Sequence, residues 1–165
     1  MIKSPSTSLD DKWLAHKEIF ITDKLQRLKN KDQYIKSAKT WAEFIKPQRA
    51  LSPALISGMY EAKLNYARVL WTENGAEAAL PVMEKTKKEM QGKVSIYDIY
   101  WLKARMLEEQ QKPEQAVKEY ENALKEKIAQ WRDQEKILWN LAWTYIKLKN
   151  YAMADKHLQT LIDAK

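Results

Sequence analysis

The sequence predicts an all-α protein, a solenoid of about four helix-turn-helix hairpins, and three observations carry that prediction. The chain of 165 residues holds only 3 Gly and 5 Pro, too few for the many tight turns of a sandwich or barrel. It has no cysteine, which removes disulfides, thiol nucleophiles and thiolate metal sites together. Small residues recur as anchors: Ser37, Ala79, Ala116 and Ala154 are spaced by 42, 37 and 38 residues, each amid apolar residues at helical offsets. At 45% hydrophobic and 31% charged the chain is globular, and its length allows burial of about 70% of the unfolded surface.

Residues 1–8, Met1 to Ser8, are expected to form a flexible polar lead. Residues 9–165 are expected to form one repeat domain, with hairpins at about 9–46, 52–90, 95–128 and 132–164. The first hairpin is degenerate, with Leu25, Leu28, Tyr34, Ser37, Trp41 and Phe44 at the repeat offsets and a turn at Asn30-Lys31-Asp32. The second starts at Ser52-Pro53, carries Ala67, Leu70, Ala79 and Met83, and turns at Asn74-Gly75. Pro81 falls inside its second helix, so a late start or a kink is expected there.

The third hairpin opens on Ser95 and Asp98, spaced as a capping box. It carries Ala104, Leu107, Ala116, Tyr120 and Ala123, and Pro113 suits the first turn of its second helix. The fourth repeats the pattern in Ala142, Tyr145, Ala154, Leu158 and Leu161, with a turn at Lys149-Asn150. The small residues have a physical task. Where two helices cross closely, only a side chain as small as Ala fits between the backbones, which pairs Ala104 with Ala116 and Ala142 with Ala154. A thirty-residue spacing of Trp41, Trp71, Trp101 and Trp131 disagrees with this period and is coincidental.

This pattern resembles the tetratricopeptide repeat family, best in Leu141-Ala142, Tyr145, Tyr151, Ala154, Leu158 and Leu161, and well in Ala104, Leu107, Ala116, Tyr120 and Ala123. The likeness is moderate over 61–86 and weak over 20–45, and it covers about 140 residues. Family repeats are 34 residues long, whereas the spacings here are 37 to 42, so helices or links are longer. The resemblance implies a right-handed superhelix whose concave groove, lined by the first helix of each hairpin, holds a protein or peptide.

Carried onto this sequence, the groove positions are Asn65, Arg68, Trp71, Trp101, Arg105, Trp139, Asn140 and Trp143. Trp offers rigid contact area, Arg binds carboxylates, and Asn bonds a peptide backbone. The partner so implied is a protein or peptide with acidic groups. The alternative reading is packing: seven Trp in a small helical array can fill gaps between repeats, and for Trp41, in a second helix, packing is the better account. The carboxylate-tail recognition known in some members needs a Lys and Asn set. The matching places here hold Thr22, Gln26, Asn65, Asp98 and Leu102, of which Asn65 alone agrees.

A second resemblance points to the cell envelope. Ile137-Leu138-Trp139-Asn140-Leu141-Ala142-Trp143 is similar to the Trp-rich helical arrays of bacterial soluble lytic transglycosylases, without the catalytic domain that follows those arrays. The sequence stops on a packing helix with no polar capping helix, so a fragment, or self-association through Leu158 and Leu161, is expected.

No catalytic residue, metal ligand or cofactor site is assigned. His16 and His157 stand far apart in sequence, and no His-Glu-x-x-His, Gly-rich phosphate loop or Gly-x-Ser-x-Gly occurs. Acidic pairs such as Asp10-Asp11 and Glu108-Glu109 are expected on solvated faces and caps, because adjacent helical residues point apart.

The net charge is +7, with +5 of it in residues 1–50, where 11 basic residues meet 6 acidic ones. Only 5 of the 29 basic residues are Arg, the usual fork for phosphate, so a Lys-rich solvated surface explains the charge better than nucleic-acid binding. The cluster Lys85, Lys87, Lys88 and Lys93 is flanked by Glu84 and Glu89 and reads the same way. No stretch approaches a membrane span, and the N-terminus lacks the apolar core of a signal peptide. That fits a cytoplasmic chain, or an envelope chain that starts after a removed signal. The function that the tetratricopeptide resemblance implies is thus a non-catalytic scaffold or adaptor.

Overall fold

The computed structural model describes residues 8–46 and 51–164, and all the regular structure among them is α-helical. Eight helices follow in order: α1 (Leu9–Leu25), α2 (Lys31–Phe44), α3 (Pro53–Asn74), α4 (Ala76–Met90), α5 (Tyr97–Glu109), α6 (Pro113–Lys125), α7 (Trp131–Lys147) and α8 (Tyr151–Asp163). The chain falls into two compact units, residues 1–90 and 91–165. Within each, every helix packs on the next in sequence. All but one residue of the 1–8 lead lie outside the described residues.

In residues 1–90 the core is aromatic. Phe20 of α1 stacks on Tyr34 and Trp41 of α2, with ring centroids 5.6 and 5.1 Å apart. Trp41 is buried, as its packing assignment requires, and with Ala38, Ala62 and Val69 it closes the cluster. Trp13 covers the edge of Trp41 at 5.6 Å. Gly58 makes room for it: a Cβ there would lie 2.8 Å from Trp13 Cζ2, well inside contact distance. Lys17 crosses both indoles at 5.4 and 5.8 Å and reaches Glu61 of α3 at 3.0 Å, so its stem packs while its charge stays paired.

The helix starts follow their capping residues. Ser8 and Asp11 form a reciprocal capping box, Asn30 accepts from Gln33 N–H, and Ser52 accepts from Leu55 N–H just ahead of Pro53. One expectation fails here, and so does the first of the two alternatives at Pro81. The Ser95–Asp98 box does not form: α5 begins at Tyr97 without a side-chain cap, and the buried Ser95 hydroxyl has no hydrogen-bond partner. The Ile96 N–H donates instead to Glu126, thirty residues away at the end of α6. Nor does Pro81 delay α4, which starts at Ala76. Pro81 sits on the exposed side, where water can satisfy the carbonyl its missing N–H leaves open.

In residues 91–165 the repeat is visible atom by atom. Ala104, Ala116, Ala142 and Ala154 are all buried at the helix crossings. After α5 the chain turns through Gln111 (φ 59°), and after α7 through Lys149 (φ 58°). Each turn closes with the same bonds: Lys112 N–H to Leu107 O and Asn150 N–H to Tyr145 O, both 2.9 Å, enclosing Gln111 N–H to Glu108 O at 3.0 Å and Lys149 N–H to Ile146 O at 2.9 Å. This is the Schellman arrangement, here built without glycine. Tyr145 OH donates to Glu121 at 2.7 Å, tying α7 to α6, and Lys103 pairs with Glu119 across α5 and α6. On α8 only Ala154 is buried; Leu158 and Leu161 are half-buried.

Candidate functional site

Three helices of residues 91–165 meet at one carboxylate. Glu108, on α5, is one turn beyond Ala104, and Tyr120, on α6, is one turn beyond Ala116. The hairpin is antiparallel, so these positions lie on opposite sides of the alanine crossing, but each side chain leans back toward the N-terminus of its own helix and they converge: the fully buried Tyr120 donates to Glu108 Oε2 at 2.7 Å. Arg105 donates to the same oxygen at 3.0 Å. From α7, the buried Thr144 hydroxyl and Lys147 Nζ reach Oε1 at 3.1 and 2.9 Å. The Glu108 side chain is only 8% exposed, and its two oxygens take four donors from three helices. Glu108 is therefore not on a solvated face. Glu109 is, because one residue further rotates the side chain by about 100°.

Burial pushes the Glu108 carboxyl up, but the bonds from Tyr120 and Lys147, the Lys147 charge and the Thr144 hydroxyl outweigh it, leaving the carboxyl below its ordinary range. The Tyr120 phenol moves the other way: burial and the hydrogen bond to a carboxylate raise it well above the usual tyrosine value. Both groups are thereby locked in one protonation state at neutral pH, which suits a structural joint and not a proton shuttle.

Next to this joint, α7 turns a face outward. Trp139 and Trp143 lie one turn apart at 51% and 48% exposure, their rings edge to face at 6.0 Å. Arg132 and Lys136 share that side of the helix, and Arg132, Asp133, Glu135, Lys136, Trp139 and Asn140 line an open recess. Trp101 of α5 is half-buried beneath Lys136, whose Nζ sits 4.1 Å from its ring centroid. Asn140 is held on both sides, accepting from Arg105 at 3.2 Å and donating to Lys136 O. The structure therefore brings Trp101, Arg105, Trp139, Asn140 and Trp143 into one neighbourhood, with Arg105 already paired to an internal acid.

Asn65, Arg68 and Trp71 lie on α3, all half-buried, and Asn65 donates to its own helix at Glu61 O. The histidines pack on rings: His16 is 4.4 Å from Phe44, and His157 stacks on Tyr145 at 5.7 Å. Among the described residues no group of three or more His, Cys, Asp or Glu could hold a metal ion. No helix among them is long and apolar enough to cross a membrane.

No family model matches the chain, and no curated protein is similar to it in sequence. Solved structures are similar in fold. The crystal structure of MamA superposes with a TM-score of 0.56 at 15% identity, over 94% of this chain and 87% of that one. MamA 41-end from Desulfovibrio magneticus RS-1 gives 0.51 at 16% identity, over 94% and 96%. The MamA RS-1 ArsTM double mutant gives 0.52 at 15%, over the same shares. The likeness is one of fold. The chain has the all-α architecture of helical hairpins of tetratricopeptide-like type that its repeat predicts.

Proposed function

We propose that this chain is a non-catalytic interaction scaffold that holds a protein or peptide partner against the aromatic face of α7. One observation carries the reading: Trp139 and Trp143, two of the costliest side chains to leave in water, stand about half exposed side by side. Large rigid rings on a helix are the usual anchors of an interface. The hydrogen bonds around Glu108 hold α5, α6 and α7 together, so this face is preorganised and loses little entropy on binding. The hairpin fold shared with MamA supports the general kind of role.

The polar contacts are distributed differently from a free arginine anchor. Arg105 spends its charge on Glu108, and Lys136 is shared between Trp101 and Asp133. Acidic groups of a partner are met by Arg132 at the rim, and the apolar contact supplies most of the affinity. On α3, Asn65, Arg68 and Trp71 offer a further set of contacts of the same types.

The test is selection of peptides from a random display library on the immobilised chain, followed by calorimetric titration of the selected peptides. Trp139→Ala and Trp143→Ala each weaken binding by about tenfold or more, as expected for aromatic anchors. Arg105→Ala acts mainly on stability. Selected peptides that bind both Trp variants normally would remove the α7 assignment. Tighter, steeply salt-dependent binding to mixed oligonucleotides would replace the protein partner with nucleic acid.

A further inference from the structure

Helix α1 and the turn after it carry an apolar stripe that residues 8–46 and 51–164 leave largely exposed. Leu14, Ile21, Leu25 and Leu28 follow one another at helical intervals, with Leu25 84% and Leu28 95% exposed. Glu18 and Lys24, both exposed, flank it, with Asp10 at one end and Lys17, paired with Glu61, on its inner edge. Close to Leu14 the surface is notched: Asp10, Trp13 and Leu14 of α1 and Ala54 and Leu55 of α3 line an open, mainly apolar hollow.

These features are arranged symmetrically about Ile21. The projecting Leu28 lies seven residues after it, in the turn that follows α1, and the notch at Leu14 lies seven residues before it. Lys24 stands three residues after Ile21, and Glu18 three before. A two-fold axis through Ile21 therefore sets each Leu28 opposite a notch and each Lys24 opposite a Glu18, while Leu25 meets the stem of the other copy's Lys17, whose charge Glu61 already holds. Self-complementarity of this kind is what an isologous interface requires.

We propose that a second copy of this chain covers the stripe, with the two α1 helices crossing antiparallel at Ile21. Leu28 of each copy enters the notch beside the other copy's Leu14, and Glu18 faces the other copy's Lys24. A parallel pairing would set Glu18 against its own copy amid apolar side chains, at a cost in repulsion and desolvation. Capture by α1 is independent of the α7 face, so the peptide-binding role and this assembly stand or fall separately.

Sedimentation equilibrium of the whole chain tests the proposal. The wild-type chain is a dimer in the micromolar range, as a small two-helix interface allows. Leu25→Glu and Leu28→Glu are monomers with unchanged helical circular dichroism, because neither side chain belongs to the core. Lys24→Glu weakens the dimer by about tenfold, and adding Glu18→Lys restores it, since both symmetric pairs are then reversed. A wild-type chain that stays monomeric at about 100 µM overturns the proposal. So does a dimer that survives Leu25→Glu but is lost on substituting Leu158 and Leu161, which would move the contact to α8. If the charge reversal fails to restore what Lys24→Glu removes, the antiparallel register is wrong.

Discussion

Glu108 shows how much one rotation about a helix axis decides. Its neighbour Glu109 has the same chemistry and faces water, while Glu108 is drawn under α7 and satisfied by Tyr120, Arg105, Thr144 and Lys147. Part of the signal was present in the sequence: Glu108 and Tyr120 each stand one turn after an anchor alanine, and helical side chains lean back toward the N-terminus of their own helix, which closes the antiparallel offset between them. It was obscured because the other copies hold apolar residues there, Trp71 with Met83 and Ile146 with Leu158, so an acid reads as an interruption of the repeat. Removing the carboxylate leaves two hydroxyls and two cations without their shared acceptor. Glu108→Ala is expected to destabilise the chain by about 2–3 kcal/mol, and Glu108→Gln, which keeps one acceptor oxygen, by about half as much. Chemical denaturation of both variants checks this; equal stability of Glu108→Ala and the parent would show that the donors find water at no cost.

At the scale of elements, the helices were legible wherever local chemistry sets their ends. Ser52 before Pro53, Asn30 and Pro113 all mark starts, because a cap or a preset φ acts within one turn. The start of α5 was not legible, because the group that satisfies Ile96 N–H is Glu126, brought there only by the folding of the hairpin. The turn at Lys149-Asn150 was legible, but the left-handed conformation inside the turns after α5 and α7 was not. Their left-handed positions hold Gln111 and Lys149, not the glycine that usually marks such a cap. An L-residue there costs about 1–2 kcal/mol, partly offset because glycine would cost more backbone entropy on folding. Lys149→Gly is therefore expected to stabilise the chain by about 0.5–1 kcal/mol, and Lys149→Val to destabilise it by more, as a thermal melt of each would read. The candidate face was legible in part. Alignment of the repeats picked out Trp139 and Trp143, whereas the pairing of Arg105 with Glu108 and Asn140 needed three helices in place.

For the whole molecule these contacts set a stability profile with pH. His157 is depressed below 6.5 because burial disfavours its charged form and Lys156 repels it, with Glu121 opposing. The native state thus binds fewer protons than the unfolded chain, so this contribution is complete above pH 6.5 and is lost as pH falls below it. Glu108, also depressed, contributes above its ordinary value of 4.5 and is lost below it, so acid weakens the chain in two successive steps. At the alkaline end the sign reverses. Tyr145 is pushed up to about 12 by burial and by its bond to Glu121, so its contribution is complete below pH 10 and is lost as pH rises toward 12. Tyr97, half-buried and bonded to Asp133, acts in the same direction. A series of thermal melts should show a plateau from about pH 7 to about pH 9.5, falling on both sides. His157→Phe keeps a ring against Tyr145 and should flatten the curve between pH 5 and 6.5 only, while Glu108→Gln should flatten it only below 4.5. Tyr34 and Tyr66 of residues 1–90 are raised in the same sense by burial, so the alkaline fall draws on both units. A profile unchanged by either substitution would mean that acid acts through other residues, and that the joint around Glu108 opens with its carboxylate still charged.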